Sequence, residues 1–186
     1  IGLLVGAAGC SPTEHRRRDG LVPEVLIVDL AGNGIHLQGA NGGPLLDFGD
    51  GQARRSGWTM VGSDDAFVVA ERISNGIVDD LSELLGVQGP PNGFAFLRAL
   101  DGIGSAELPR FGRPQGRRPD GVIDRSDAIF HRILLWTDRN GNGKSEDLEL
   151  QSLEYAGFES MNLAVSAAAQ ATRGNRITQT SHAFRI

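Results

Sequence analysis

Twelve residues from Asp138 to Glu149, D-R-N-G-N-G-K-S-E-D-L-E, place oxygen donors in a rhythm suited to a hard cation. Counting Asp138 as position one, side-chain oxygens fall at positions one, three and five, on Asp138, Asn140 and Asn142. Gly143 at six makes the sharp turn, and Lys144 at seven offers its backbone carbonyl. Glu146 stands at nine and Glu149 at twelve. This is the ligand order of the EF-hand loop, in which six to eight oxygens surround calcium and the closing glutamate gives both of its own. Alternate side chains of a tight turn point inward, and the glutamate arrives from the start of a following helix. A plain Asn-Gly hairpin turn has no need of that glutamate. Ser145 stands at position eight, where an apolar residue usually pins the loop to its neighbour. With few charged ligands, the expected calcium dissociation constant is on the order of 10⁻⁶ to 10⁻⁴ M.

A second grouping is Asp101, Asp120, Asp124 and Asp127, interrupted by a Gly-, Pro- and Arg-rich stretch at 102–119. If that stretch loops out, the four carboxylates converge on one ion, without which they would repel one another. Alternatively, Asp124 and Asp127 only cap a helix. The remaining acidic turns are weaker. The turn at 29–34 has Ala31 at position three, which leaves two oxygens and the expectation of a metal-free turn. The turn at 47–51 is short, and Ile73 occupies a ligand position in the turn at 71–76. Acid pairs such as Asp64-Asp65 are of the type used in glycoside hydrolysis, but among so many acidic turns that reading is disfavoured. The chain has no G-x-S-x-G elbow, no H-E-x-x-H, no P-loop and no paired cysteine, and its four histidines are scattered. A binding domain is expected, not an enzyme.

The elements that hold these loops are short. The chain has 186 residues, 40% of them hydrophobic, which suits one globular domain with a real core. Its 26 glycines favour turns over long helices. The net charge of -5 speaks against nucleic acid as a partner and agrees with cations. β-branched and apolar runs predict strands at 24–30, 35–37, 44–48, 66–70, 161–165 and 176–186. Short helices are expected at 80–85, at 93–100 behind an Asn92 cap, from Ser126 or Asp127 through Ile133, and at 153–156. The expected fold class is therefore α+β: a compact domain of short strands and short helices joined by Asp/Asn/Gly loops.

The N-terminus, I-G-L-L-V-G-A-A-G-C-S-P, is apolar and small up to Cys10 and too short to span a bilayer. It reads as the end of a secretory signal peptide, and Ala7-Ala8-Gly9-Cys10 as a lipobox whose cysteine is lipidated. The alternative is a buried strand with a free thiol. On the first reading, residues 1–10 end a lipoprotein-type signal peptide and 11–22 are a flexible tether. Residues 23–186 are then the calcium-binding domain, with an inserted surface loop at 102–119. The expected location is the bacterial cell envelope or the exterior, with membrane contact through the lipid anchor only.

The ordered motifs V-D-L-A-G-N-G-I, S-G-W, D-D-A-F-V-V, N-G-I-V-D-D-L-S-E-L-L-G, N-G-F-A-F-L-R-A-L-D, D-G-V-I-D-R-S-D-A-I-F, L-L-W-T-D-R-N-G-N-G and S-L-E-Y-A-G-F-E-S-M-N-L run from about Pro23 to Val165. Together they resemble the calcium-binding module of RTX-type bacterial proteins, which in some members processes itself. The resemblance implies a secreted, calcium-stabilised domain. Self-processing members cleave an Asp-Pro bond, and no Asp-Pro occurs in this chain. Without that aspartate the reaction has no nucleophile. Ala31, Ile73, the short second loop and the insertion also depart from the pattern. Asp138, Asn140, Asn142, Lys144 and Glu149 carry over cleanly. Two other functions stay open: calcium-dependent self-processing or cross-linking, and a metal-free interaction domain.

Overall fold

Apolar runs flanked by glycine turns set this architecture, because both faces of the main strands must be covered. The structure is a computed structural model that describes residues 2–8, 24–47, 51–70, 77–78, 80–87, 92–103, 118–146 and 148–185. Cys10, the tether and most of the 102–119 insertion lie outside the described residues. The elements, in order, are strands β1 (Gly2–Ala8), β2 (Glu24–Asp29), β3 (Leu37–Gln38), β4 (Leu45–Leu46), β5 (Arg54–Arg55), β6 (Trp58–Thr59) and β7 (Asp65–Ala70), then helix α1 (Gly93–Leu100). Strands β8 (Val122–Asp124), β9 (Ile133–Trp136), β10 (Leu150–Ser152), β11 (Phe158–Asn162), β12 (Ser166–Thr172) and β13 (Asn175–Arg185) follow.

Nine strands make one antiparallel sheet in the order β10-β9-β7-β2-β1-β13-β11-β8, with β12 also on β13. β13 is long enough to serve three neighbours: β1 along one edge, and β12 and then β11 along the other. Between β2 and β7 the chain makes an excursion of two small ribbons, β3–β6 and β4–β5. The residues read as the end of a signal peptide form β1, between β2 and β13.

Alternation along β2 and β7 feeds two cores. Leu26, Val28, Ala66 and Val68 face a cluster with Phe94, Leu97, Leu100, Ile123, Phe130, Phe158 and Met161. Val25, Ile27, Phe67 and Val69 face another, with Leu37, Leu46, Trp58, Leu84 and Trp136. Each large side chain buried this way contributes roughly 1.5–3 kcal/mol. α1 covers the first face. The Asn92 side chain accepts the Ala95 N–H at 2.9 Å and caps it.

The α+β expectation is corrected. Among the described residues α1 is the one α-helix, and the protein is an antiparallel β structure. The helix expected at 80–85 is a 3₁₀ turn at Leu81–Glu83, and the one expected through Ile133 is a 3₁₀ turn at Phe130–Arg132. Residues 153–156 form a turn. The physical reason is length. A helix of one turn fixes three residues for one hydrogen bond, and here i→i+3 bonds such as Phe130 N to Asp127 O close the turn before a strand takes over. The strand expected at 35–37 moves to β3, that at 44–48 has β4 as its described part, that at 161–165 shifts to β11, and β12 is additional to the expected strands.

Candidate functional site

The loop from Asp138 to Glu149 joins β9 to β10, neighbours in the sheet. Its closing glutamate is thus delivered by the start of a strand, where the sequence led us to expect a helix. Thr137 N bonds Glu149 O at 2.9 Å and zips the neck. Within the loop, Asp138 Oδ1 accepts Gly141 N at 2.8 Å and Oδ2 accepts Gly143 N at 2.8 Å. Gly143 has φ 72°, and a Cβ there would lie 2.8 Å from both Pro44 and Leu46, so glycine is required twice over. Glu149 accepts Arg139 N at 2.9 Å and Glu146 N at 3.3 Å. The Asn140 and Asn142 amides both donate to Glu146, at 2.7 and 2.8 Å, and Lys144 N donates to Asn142 Oδ1. Position eight works differently from the usual apolar pin: Ser145 Oγ accepts Val78 N at 2.6 Å and donates to Val78 O at 3.2 Å.

Beneath the loop lie two tryptophans. Trp58 Nε1 donates to Asp138 Oδ2 at 2.6 Å, and Trp136 Nε1 to Glu149 Oε2 at 3.3 Å. With Phe67 they form a ring cluster at centroid distances of 4.3 to 5.8 Å. The first and last acids of the loop are thereby drawn into the core. Asp138 is 2% exposed and Glu149 6%. Among the described residues, neither has an ion-pair partner.

Asp101, Asp120, Asp124 and Asp127 are gathered around the two ends of the insertion. Asp101 accepts Asp120 N at 3.3 Å and Gly121 N at 2.8 Å. Asp127 accepts Gly102 N at 2.9 Å and Asp124 N at 3.0 Å. Asp120 and Asp124 close local turns on Val122 N and Ser126 N. Their oxygens are served by N–H donors and stitch both ends of the insertion to β8.

A different trio is tighter. Among the described residues, Asp29, Asp64 and Asp65 form the one group of three acidic side chains with ligand atoms within 4.8 Å of one another. Asp29 ends β2 and pairs in register with Asp65, which opens β7. Asp29 accepts the N–H groups of Gly32, Asn33 and Gly34. Asp64 accepts Ala31 N at 2.7 Å and the Asn33 amide at 3.1 Å. Asp65 Oδ2 accepts His36 N at 2.8 Å, with His36 Nδ1 3.6 Å away. Burial, helped by the neighbouring Asp64 charge, raises the Asp65 carboxyl to about 6. Burial is the largest single influence on Asp64 and pushes it upward, but its hydrogen bonds, led by those from the Ala31 N–H and the Asn33 amide, together outweigh it and hold that carboxyl below its ordinary value. This trio does not show in the sequence: the 29–34 turn stands there by itself, and the β2–β7 register that brings Asp64 and Asp65 to it leaves no local mark.

The chain matches the SPM domain over residues 26–109 and 115–185. It is also 33% identical over 153 residues to the iron-regulated protein FrpA of Neisseria meningitidis serogroup C. That alignment covers 77% of this chain but only 12% of FrpA. The break at 110–114 falls inside the insertion, while the acidic trio, the 138–149 loop and nearly all of the sheet after β1 fall within the match. By that extent, this chain belongs to the SPM domain family.

Proposed function

We propose that this domain binds calcium through the 138–149 loop and is stabilised by it, as part of an exported bacterial protein. The observation that carries the reading is the burial of Asp138 and Glu149 with no ion-pair partner among the described residues. Buried carboxylates are costly unless a partner charge or strong donors compensate them. The donors around the loop are oxygens of the kind a hard divalent cation selects. Asp138, Asn140, Asn142, the Lys144 carbonyl and Glu149 would hold the ion, which supplies charge compensation rather than chemistry. Anchoring of the protein through Cys10 belongs to the same proposal.

A metal-free interaction domain is the second reading. It is favoured by the number of N–H donors already serving these oxygens, and by Glu146, which both asparagine amides hold. Thermal melts in millimolar calcium and in chelator, repeated on Glu149→Gln, separate the two. A ligand that binds only the folded state raises the melting temperature by mass action. We expect an upward shift that the variant loses; identical melts in both conditions would leave the metal-free reading.

A further inference from the structure

We propose that the free edge of β10 is a self-association site, on which a second copy of this chain docks antiparallel about a two-fold axis through Gln151. Among the described residues β10 ends the nine-stranded sheet, and its outer edge pairs with no strand. Thr137 N bonds Glu149 O, so the antiparallel ladder puts the Gln151 backbone groups on β9 and turns those of Leu150 and Ser152 outward. An edge of this kind takes up another strand unless a charge, a proline or a covering segment blunts it. The sequence L-Q-S of β10 carries neither charge nor proline. The Ser152 carbonyl already accepts Ala156 N at 3.0 Å, but a carbonyl oxygen has a second lone pair to offer.

Each end of β10 carries a large apolar side chain that the core does not use. Leu148, before the strand, is 90% exposed, and Tyr155, after it, is 85% exposed. Leu148 has φ 72°, a left-handed conformation strained for leucine and natural for glycine or asparagine. Tyr155 is held by a turn in which Ser152 Oγ accepts its N–H at 3.1 Å. The two side chains, with Thr137, Arg139, Gln151 and Ser152, line one open groove along the edge. A two-fold through Gln151 uses every outward group of the strand: Leu150 of each copy pairs with Ser152 of the other. In that register Leu148 of one copy falls beside Tyr155 of the other, and the contact is made twice. The charges agree as well. Arg139 is exposed at the Leu148 end and has no ion-pair partner among the described residues. It comes to the Glu154 end of the second copy, where the Glu154 side chain is 50% exposed and 3.3 Å from His131. A parallel docking would set like charge against like. Three residues of edge make a small contact, of the class that gives weak, reversible dimers rather than obligate ones.

The test is sedimentation velocity on the full chain carrying Cys10→Ser, from ~10 µM to ~1 mM. We expect a weight-average mass that rises with concentration toward that of a dimer. Leu148→Asn removes the apolar contact and suits φ 72°, so the monomer stays folded, which circular dichroism checks, while self-association weakens at least ~10-fold. Gln151→Cys in the same background reads the register. Residues facing each other in a non-hydrogen-bonded antiparallel pair stand about 4.5 Å apart between Cα atoms, within disulfide reach. Air oxidation should therefore link Gln151→Cys into a dimer faster than Leu45→Cys, an exposed position on β4 that serves as the control. A monomer across the whole concentration range overturns the proposal. So does a dimer that Leu148→Asn leaves unchanged, or that Gln151→Cys captures no faster than the control, because the contact then lies elsewhere on the surface.

Discussion

Trp58 is the most informative residue to change. Its indole N–H reaches Asp138 at 2.6 Å inside the second core, where both side chains are nearly inaccessible. Trp58→Phe keeps an aromatic ring against Phe67 and removes the donor. A hydrogen bond to a charged group contributes about 1.5–3 kcal/mol net, and at roughly 2–4 °C per kcal/mol for a chain of this size the melting temperature falls by about 3–12 °C from this bond alone. The smaller ring adds a packing loss, so a single variant does not isolate the bond. A double-mutant cycle with Asp138→Ala cancels the packing loss, along with the Gly141 and Gly143 N–H groups that this variant strands. Urea unfolding at pH 7 in chelator, with near-ultraviolet circular dichroism to check that each chain is folded, should give a coupling of about 1.5–3 kcal/mol. A coupling below ~0.5 kcal/mol would refute the claim that the aromatic cluster holds the loop by this bond. Trp136→Phe, whose bond to Glu149 is longer at 3.3 Å, should couple less.

Two further changes test the fold around the sites. Asp65 keeps its proton more tightly folded than unfolded, with its carboxyl raised from 3.8 to about 6 by burial, so its contribution is full below pH 3.8 and is lost as pH rises through about 6. In chelator, Asp65→Asn should gain on its parent by about 2 kcal/mol between pH 4.5 and 7.5; a flat difference in urea unfolding would refute this. Gly86→Ala puts a Cβ 1.8 Å from the Glu24 carbonyl at φ 105°, and should cost about 2–5 kcal/mol in the same assay.

What could be read from the sequence was what is local. The spacing of Asp138, Asn140, Asn142 and Glu149 lies within one loop, so its rhythm shows without the fold. The β-branched run of β2 and the Asn92 cap before α1 are equally local. The exit of that loop is not legible in the sequence because Leu150–Ser152 becomes a strand only by pairing with β9, a choice made by the sheet and not by three residues. The helices expected near 80–85 and 153–156 failed for the same reason: propensity over so few residues yields to neighbouring strands. The Asp29 trio was invisible because a one-residue slip of β7 on β2 would turn Asp65 to the other face of the sheet.

The position of β1 has a consequence for how the domain is completed. Among the described residues, no other strand pair joins the half-sheet β10-β9-β7-β2 to the half-sheet built on β13, so β1 is the slider of a zip, with each edge held over six or more residues. Processing at a lipobox would discard this same segment, because the cysteine becomes the first residue. Anchoring of that kind and sheet closure would then compete for the same few residues. A chain tethered through Cys10 would display two facing, unsatisfied strand edges, the geometry in which an extended segment from another molecule is taken up by strand addition.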